Sequence, residues 1–174
     1  MGVEDGSFQK GRTRKALLVS VLLREAKIED IKIVKISVDG WDATEKFVKT
    51  IAKWKFDAVM LAGVSFAGFN LIDATAIYEE FKKPIIIISR TKPNNRKVKQ
   101  ALQRHFKDWE MRWRVFKKLG PIHEVFTLDG EAPLYVEVVN TNVKWASRLV
   151  QALSFCGRVP EPIRVARLIA RGLS

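Results

Sequence analysis

Two rhythms of apolar and polar positions run through this chain of 174 residues, and each change of rhythm marks an element. Residues 3–8 read as a short strand entering a turn at Asp5-Gly6, and Gln9 to Lys15 as a polar loop. Ala16–Arg24 (ALLVSVLLR) is a short continuous apolar run, which favours a buried strand over a helix. Ile31–Val38 (IKIVKISV) alternates with the period of two that sends successive side chains to opposite sheet faces. Beyond Asp39-Gly40, Asp42-Ala-Thr-Glu45 has the capping-box pattern, and Phe47, Val48, Ile51, Ala52 and Trp54 follow at helical spacing. Asp57–Leu61 and Pro84–Ser89 have the unbroken apolar character of parallel strands covered on both faces. Between them, Asn70 is placed to cap a helix carrying Leu71, Ile72, Ala76, Ile77 and Tyr78.

Asn94–Leu119 reads as one long or broken basic helix, ended by Gly120-Pro121. Glu124–Thr127 and Leu134–Val138 read as a peripheral strand pair, and Thr141–Ser154 and Pro162–Ile169 as closing helices. The order is β-β-β-α-β-α-β with an α-rich tail. Strands joined by short turns are antiparallel, whereas strands separated by helices are parallel crossovers. The simplest result is an α/β fold with a mixed five-stranded sheet flanked by helices and an α-rich C-terminal part. That is the ribonuclease H-like arrangement, and the length fits one domain over residues 1–174.

A formal net charge of +12 changes the picture by pointing to an anionic partner, of which nucleic acid is the usual one. The alternative is a surface that is basic only for solubility. Cys156 is the single cysteine, which excludes an intrachain disulfide and a Cys-rich metal site and sets a reducing, cytoplasmic compartment as the expectation. The chain opens on Glu4, Asp5 and basic residues rather than an apolar stretch, so no signal peptide is expected. No apolar run approaches membrane-spanning length.

Carboxylates that converge from separate elements hold metal ions for phosphodiester cleavage, and Mg²⁺ (or Mn²⁺) suits such oxygen ligands. Asp5, in Asp5-Gly-Ser7 at the end of the first strand, is the first candidate, with an Asp-Gly turn as its alternative. Glu4 falls on the opposite strand face, so the two are not expected to ligate together. Asp39, Asp42 and Glu45 cluster where the chain leaves the third strand; Asp42 is preferred as a ligand, although the capping box alone would explain Asp42 and Glu45. The next strand ends Leu61-Ala62-Gly63, where Ala62 stands in the place of a third carboxylate. The basic segment Arg90–Lys118, with Lys92, Arg96, Arg112 and Arg114, and the loop residues Lys10, Arg12 and Arg14 are candidates for phosphate contacts. Trp109 and Trp113 share a helical face, and Trp109 is either a stacking platform for an unpaired base or part of the core.

These motifs resemble a named family. Gly2-Val-Glu-Asp5-Gly-Ser-Phe8, Val38-Asp-Gly-Trp-Asp42-Ala-Thr-Glu45, Leu61-Ala-Gly63-Val-Ser-Phe-Ala-Gly-Phe-Asn70 and Pro160-Glu-Pro-Ile-Arg164-Val-Ala look like the archaeal domain of unknown function 99 family, also called endonuclease dU. That family is similar to endonuclease V, a ribonuclease H-like enzyme that cuts beside deaminated bases. The resemblance covers essentially the whole chain. It implies a Mg²⁺-dependent endonuclease acting on deoxyuridine-containing DNA, a role in DNA repair, and DNA rather than RNA as partner. It also implies that Asp5 matches the first catalytic Asp of endonuclease V's Asp-X-Ser-Tyr motif, with Phe8 at the aromatic position. Val38–Glu45 falls on the strand-separating wedge and the catalytic Glu, where spacing favours Asp42 and allows Glu45. Ala62-Gly63 falls on the family's Asp-Gly, so one acidic ligand is missing, and a catalytically impaired nucleic-acid-binding module is the alternative.

Overall fold

In the computed structural model, which describes residues 1–9 and 11–174, the three leading strands fold back on one another as the short turns between them require. β1 (Gly2–Asp5) pairs antiparallel with β2 (Lys15–Arg24), and β2 with β3 (Lys27–Ser37). α1 (Ala43–Ile51) then carries the chain to β4 (Val59–Leu61), which lies parallel to β1; α2 (Ala74–Phe81) carries it to β7 (Ile85–Ser89), parallel to β4. A small hairpin, β5 (Ser65–Phe66) and β6 (Asn70–Leu71), interrupts the second crossover.

The main sheet has seven strands in the order β3-β2-β1-β4-β7-β9-β8, not five. β8 (His123–Val125) and β9 (Leu134–Val139) form the expected peripheral pair, and they join the sheet at its edge because β9 satisfies the free edge of β7 from Ile85 to Ser89. The basic segment breaks into α3 (Asn95–His105) and α4 (Trp109–Lys117), with an extended Phe106 between them whose ring meets Phe69 edge-on at 5.5 Å. α5 (Val143–Leu153) and α6 (Glu161–Gly172) close the other face. No helix among the described residues is long and apolar enough to cross a membrane.

Each face of the sheet has its own core. Val3, Leu18, Ile36, Leu61 and Ile87 pack against Phe47, Ile51 and Ile77 of α1 and α2. Met60, Ile86, Ile88 and Val136 pack against Val150 of α5 and Ile163 of α6. α6 lies close enough to β1 that a Cβ on Gly2 would stand 2.5 Å from the Pro162 carbonyl carbon, so only glycine fits there.

Two helix starts differ from expectation. Asp42 has near-helical angles (φ −95°, ψ −1°) and its side chain does not cap α1. The Ala43 N–H is instead received by Asn70 Oδ1 at 3.0 Å, from across the fold. Asn70 is therefore not the cap of α2; Asp73 is, accepting from the Thr75 and Ala76 N–H groups. The outermost strand, β3, keeps Ile28, Ile31 and Ile33 exposed. Along it the Ile31 N–H is taken by Asp30, the Ser37 N–H by Asp42, and the Lys35 carbonyl by the Lys46 ammonium.

Candidate active site at the carboxyl edge of the sheet

Because β1, β4 and β7 are parallel, their C-terminal ends share one edge, the usual place for ligands in an open α/β sheet. Strand pleating then sorts the side chains. Asp5 lies opposite Leu18, on the α1/α2 face, and Glu4 opposite Val19, on the α6 face. On that second face, Glu4 opens into a cleft of about 340 Å³ with Ala62, Ile88, Ser89, Arg90, Thr91 and Ile163.

Glu4 is 7% exposed. Burial, then the charge of Asp5, push its carboxyl up to about 7, with the Arg90 guanidinium pulling the other way. Asp5 is also raised by burial, opposed by the Ala67 N–H and by hydrogen bonding with Glu4. The two neighbouring carboxyls therefore interact closely despite leaving the strand on opposite faces. Sequence reasoning set Glu4 aside for that alternation. The missing information was the β1–β4 register, which places Glu4 and not Asp5 on the same face as Ala62.

Asp5, Asp39 and Asp42 converge on a different object, the loop of the β5–β6 hairpin. Asp5 accepts from the Ala67 N–H, Asp39 Oδ1 from the Phe69 N–H at 2.8 Å, and Asp42 Oδ1 from Asn70 Nδ2 at 2.6 Å. Asp42 also receives the Ser37 N–H and hydroxyl and pairs with Lys46 at 2.7 Å. Against the cost of partial burial, these donors hold its carboxyl well below the usual carboxylate range. Glu45 stands on the exposed side of α1 and pairs with Lys49, apart from the cleft residues.

Arg112, expected at a phosphate, is 4% exposed. Its guanidinium donates to the carbonyls of Asp39, Gly40 and Phe69, pairs with Asp108, and lies against the rings of Phe106 and Trp41. Exposed Trp41 is in turn fixed through its indole N–H to Asp108 Oδ2. Trp109 is half-buried, with the Lys99 ammonium 5.8 Å from its ring centre. Arg12, Arg14, Lys92, Arg96 and Arg114 are exposed, and Lys10 lies outside the described residues.

Among the described residues, no three His, Cys, Asp or Glu side chains group as a metal site. Glu4 and Asp5, whose carboxyls interact, are the two oxygen donors available to one hard cation that keeps waters, with Asp5 also accepting from the Ala67 N–H and only Glu4 lining the cleft. They do not supply the donors for two ions, because Ala62 contributes none and Asp42 and Glu45 are engaged elsewhere.

The strand order defines a ribonuclease H-like α/β protein with an endonuclease V-like fold. The fold is shared with human endonuclease V (TM-score 0.64, 15% identity, covering 99% of this chain and 82% of that one). It is equally shared with the Ciona intestinalis enzyme, solved in complex with a 24mer DNA containing an inosine (0.63, 16%, 99% and 84%). Matching over residues 1–174, the chain belongs to the endonuclease dU family. The UPF0215 protein of Methanosarcina acetivorans is 34% identical over 99% of this chain and 89% of its own length. A crystal structure of a protein of unknown function from Archaeoglobus fulgidus superposes with a TM-score of 0.85 at 29% identity, covering 99% of this chain and 95% of that one.

Proposed function

We propose that this protein is an endonuclease that binds DNA and cuts it near deaminated bases, deoxyuridine in particular, with one Mg²⁺ or Mn²⁺ in the cleft, and that it serves DNA repair in the cytoplasm. The observation that carries the reading is the Glu4 carboxyl, next to that of Asp5 at the carboxyl edge of β1, opening with Arg90 into one cleft. Family membership and the shared fold support it. Glu4 and Asp5 would hold the ion, which would supply positive charge to a phosphoryl oxygen. Arg90 neutralises the phosphate at the same place. The exposed Lys92, Arg96 and Arg114, with Arg12 and Arg14, track the backbone on either side.

One observation favours a second reading. Ala62 occupies the cleft where a carboxylate would complete a second ion site, so the chain could bind nucleic acid without cutting it. A nicking assay on a deoxyuridine-containing duplex separates the two. The expected result is slow cleavage stimulated by Mn²⁺, lost in Glu4→Gln and in Asp5→Asn, and raised in Ala62→Asp. Cleavage that survives both single variants belongs to another site or a contaminant, and the binding-module reading takes its place.

A further inference from the structure

Glu137 is 6% exposed on β9, opposite Ile87. Among the described residues neither a hydrogen bond nor an ion pair answers its carboxyl, and burial alone raises it above the usual carboxylate range. A carboxyl left so costs free energy that the fold does not recover internally. Its oxygens are not sealed among protein atoms, since among the described residues no fully enclosed side-chain oxygen lacks a partner. Glu137 lines a cavity of about 200 Å³ between the sheet and the α3–α4 pair.

The walls of that cavity suggest what it takes. Val98 and Phe116 give it apolar sides, while the hydroxyl-bearing residues Ser89 and Thr91 line the same space as Glu137 and Ser65, whose own hydroxyl donates to the Gly68 carbonyl. A mostly apolar pocket with a few convergent polar groups is how proteins hold a small planar ligand. The volume is below that of pockets for drug-sized molecules, so it has room for a single ring system and not for a nucleotide. Burial favours the protonated form of Glu137, and in that form the carboxyl is one O–H donor beside one carbonyl acceptor, the complement of a ring that presents adjoining C=O and N–H groups. A cationic ligand is disfavoured by the net charge of +12.

We propose that the cavity beneath α3 is a binding site for an uncharged heterocycle with adjoining N–H and C=O groups, a nucleobase such as uracil, held through the Glu137 carboxyl. The site is separate from the cleft holding Glu4, but the two share Ser89 and Thr91 in their walls. A base of a bound strand and a free base present the same edge. The strand source rests on the nucleic-acid reading above; the free-base source does not.

The test has two arms. In the first, uracil is titrated into the protein and followed by backbone amide NMR, with Glu137→Leu and Val98→Trp as variants. Val98→Trp fills the cavity without altering Glu137. Shifts at Ser65, Ser89 and Thr91 in the wild type, weakened at least about tenfold in either folded variant, are expected, tenfold corresponding to ~1.4 kcal/mol. In the second, affinities for a single strand with one deoxyuridine and for the same strand with an abasic site are compared. If the base comes from the strand, the wild type prefers deoxyuridine and Glu137→Leu and Val98→Trp lose the preference. A positive result in either arm supports the site and names its source. Failure of uracil to bind, together with a deoxyuridine-to-abasic ratio that neither variant alters, overturns it. Absence of nicking defeats only the nuclease reading, because neither arm measures cleavage.

Discussion

Glu4 holds a proton in the folded chain that the unfolded chain would release near 4.5, and it keeps that proton until about 7. Between these values the native state binds more protons than the unfolded state, so Glu4 makes stability fall as pH rises through this window. The penalty is complete above about 7 and absent below the unfolded value. Glu4→Gln removes it without changing the shape of the side chain. The variant is expected to gain roughly 1–3 kcal/mol over the wild type near pH 8 and nothing near pH 4. Urea titrations at the two pH values check this; a gain of equal size at both would show that burial of the side chain, not its ionisation, is what matters. Glu137 has the same sign, raised by burial, and adds to the slope.

At the scale of elements, the β5–β6 hairpin is fastened by Asp5, Asp39, Asp42 and Arg112 rather than by its own two-residue strands. Arg112→Ala leaves three carbonyls without their donor and Asp108 with the Trp41 N–H alone, and is expected to cost about 3–5 kcal/mol. Arg112→Lys recovers only part, because an ammonium cannot reproduce the planar fork against Phe106. Chemical denaturation of the two variants gives the numbers, and equal stability of Arg112→Ala and wild type would contradict this role. Strands β2, β4 and β7 were legible because their apolar runs are local signals, and so was the break-prone basic helix. The exchange of caps between Asp42 and Asn70 was not, since it depends on a contact across 27 residues that no local pattern encodes. Likewise, alternation told that Glu4 and Asp5 leave on opposite faces, but not which face carries the cleft. Arg112 read as one basic residue among many; its place in the interior is set by the bend at Phe106.

For the whole molecule, the excess of 31 Lys and Arg over 19 Asp and Glu decides how it meets a polyanion. If exposed Lys92 and Arg96 contact phosphates, replacing both with alanine lowers the slope of log affinity against log salt by about one to two, at roughly 0.9 per lost contact. An unaltered slope would assign those two residues to solvent. Arg12→Ala with Arg14→Ala is a parallel measurement for the loop before β2.

The outer edge of β3 carries a consequence of a different kind. Three isoleucines and eleven residues of strand lie at the border of the sheet, the sort of border on which foreign strands can nucleate fibrils. Asp30, Asp42 and Lys46 occupy three of the backbone groups along it, at Ile31, Ser37 and Lys35, where a newcomer would otherwise pair. These side chains thereby act as gatekeepers against self-templated aggregation, a protection that would matter most where the chain is concentrated.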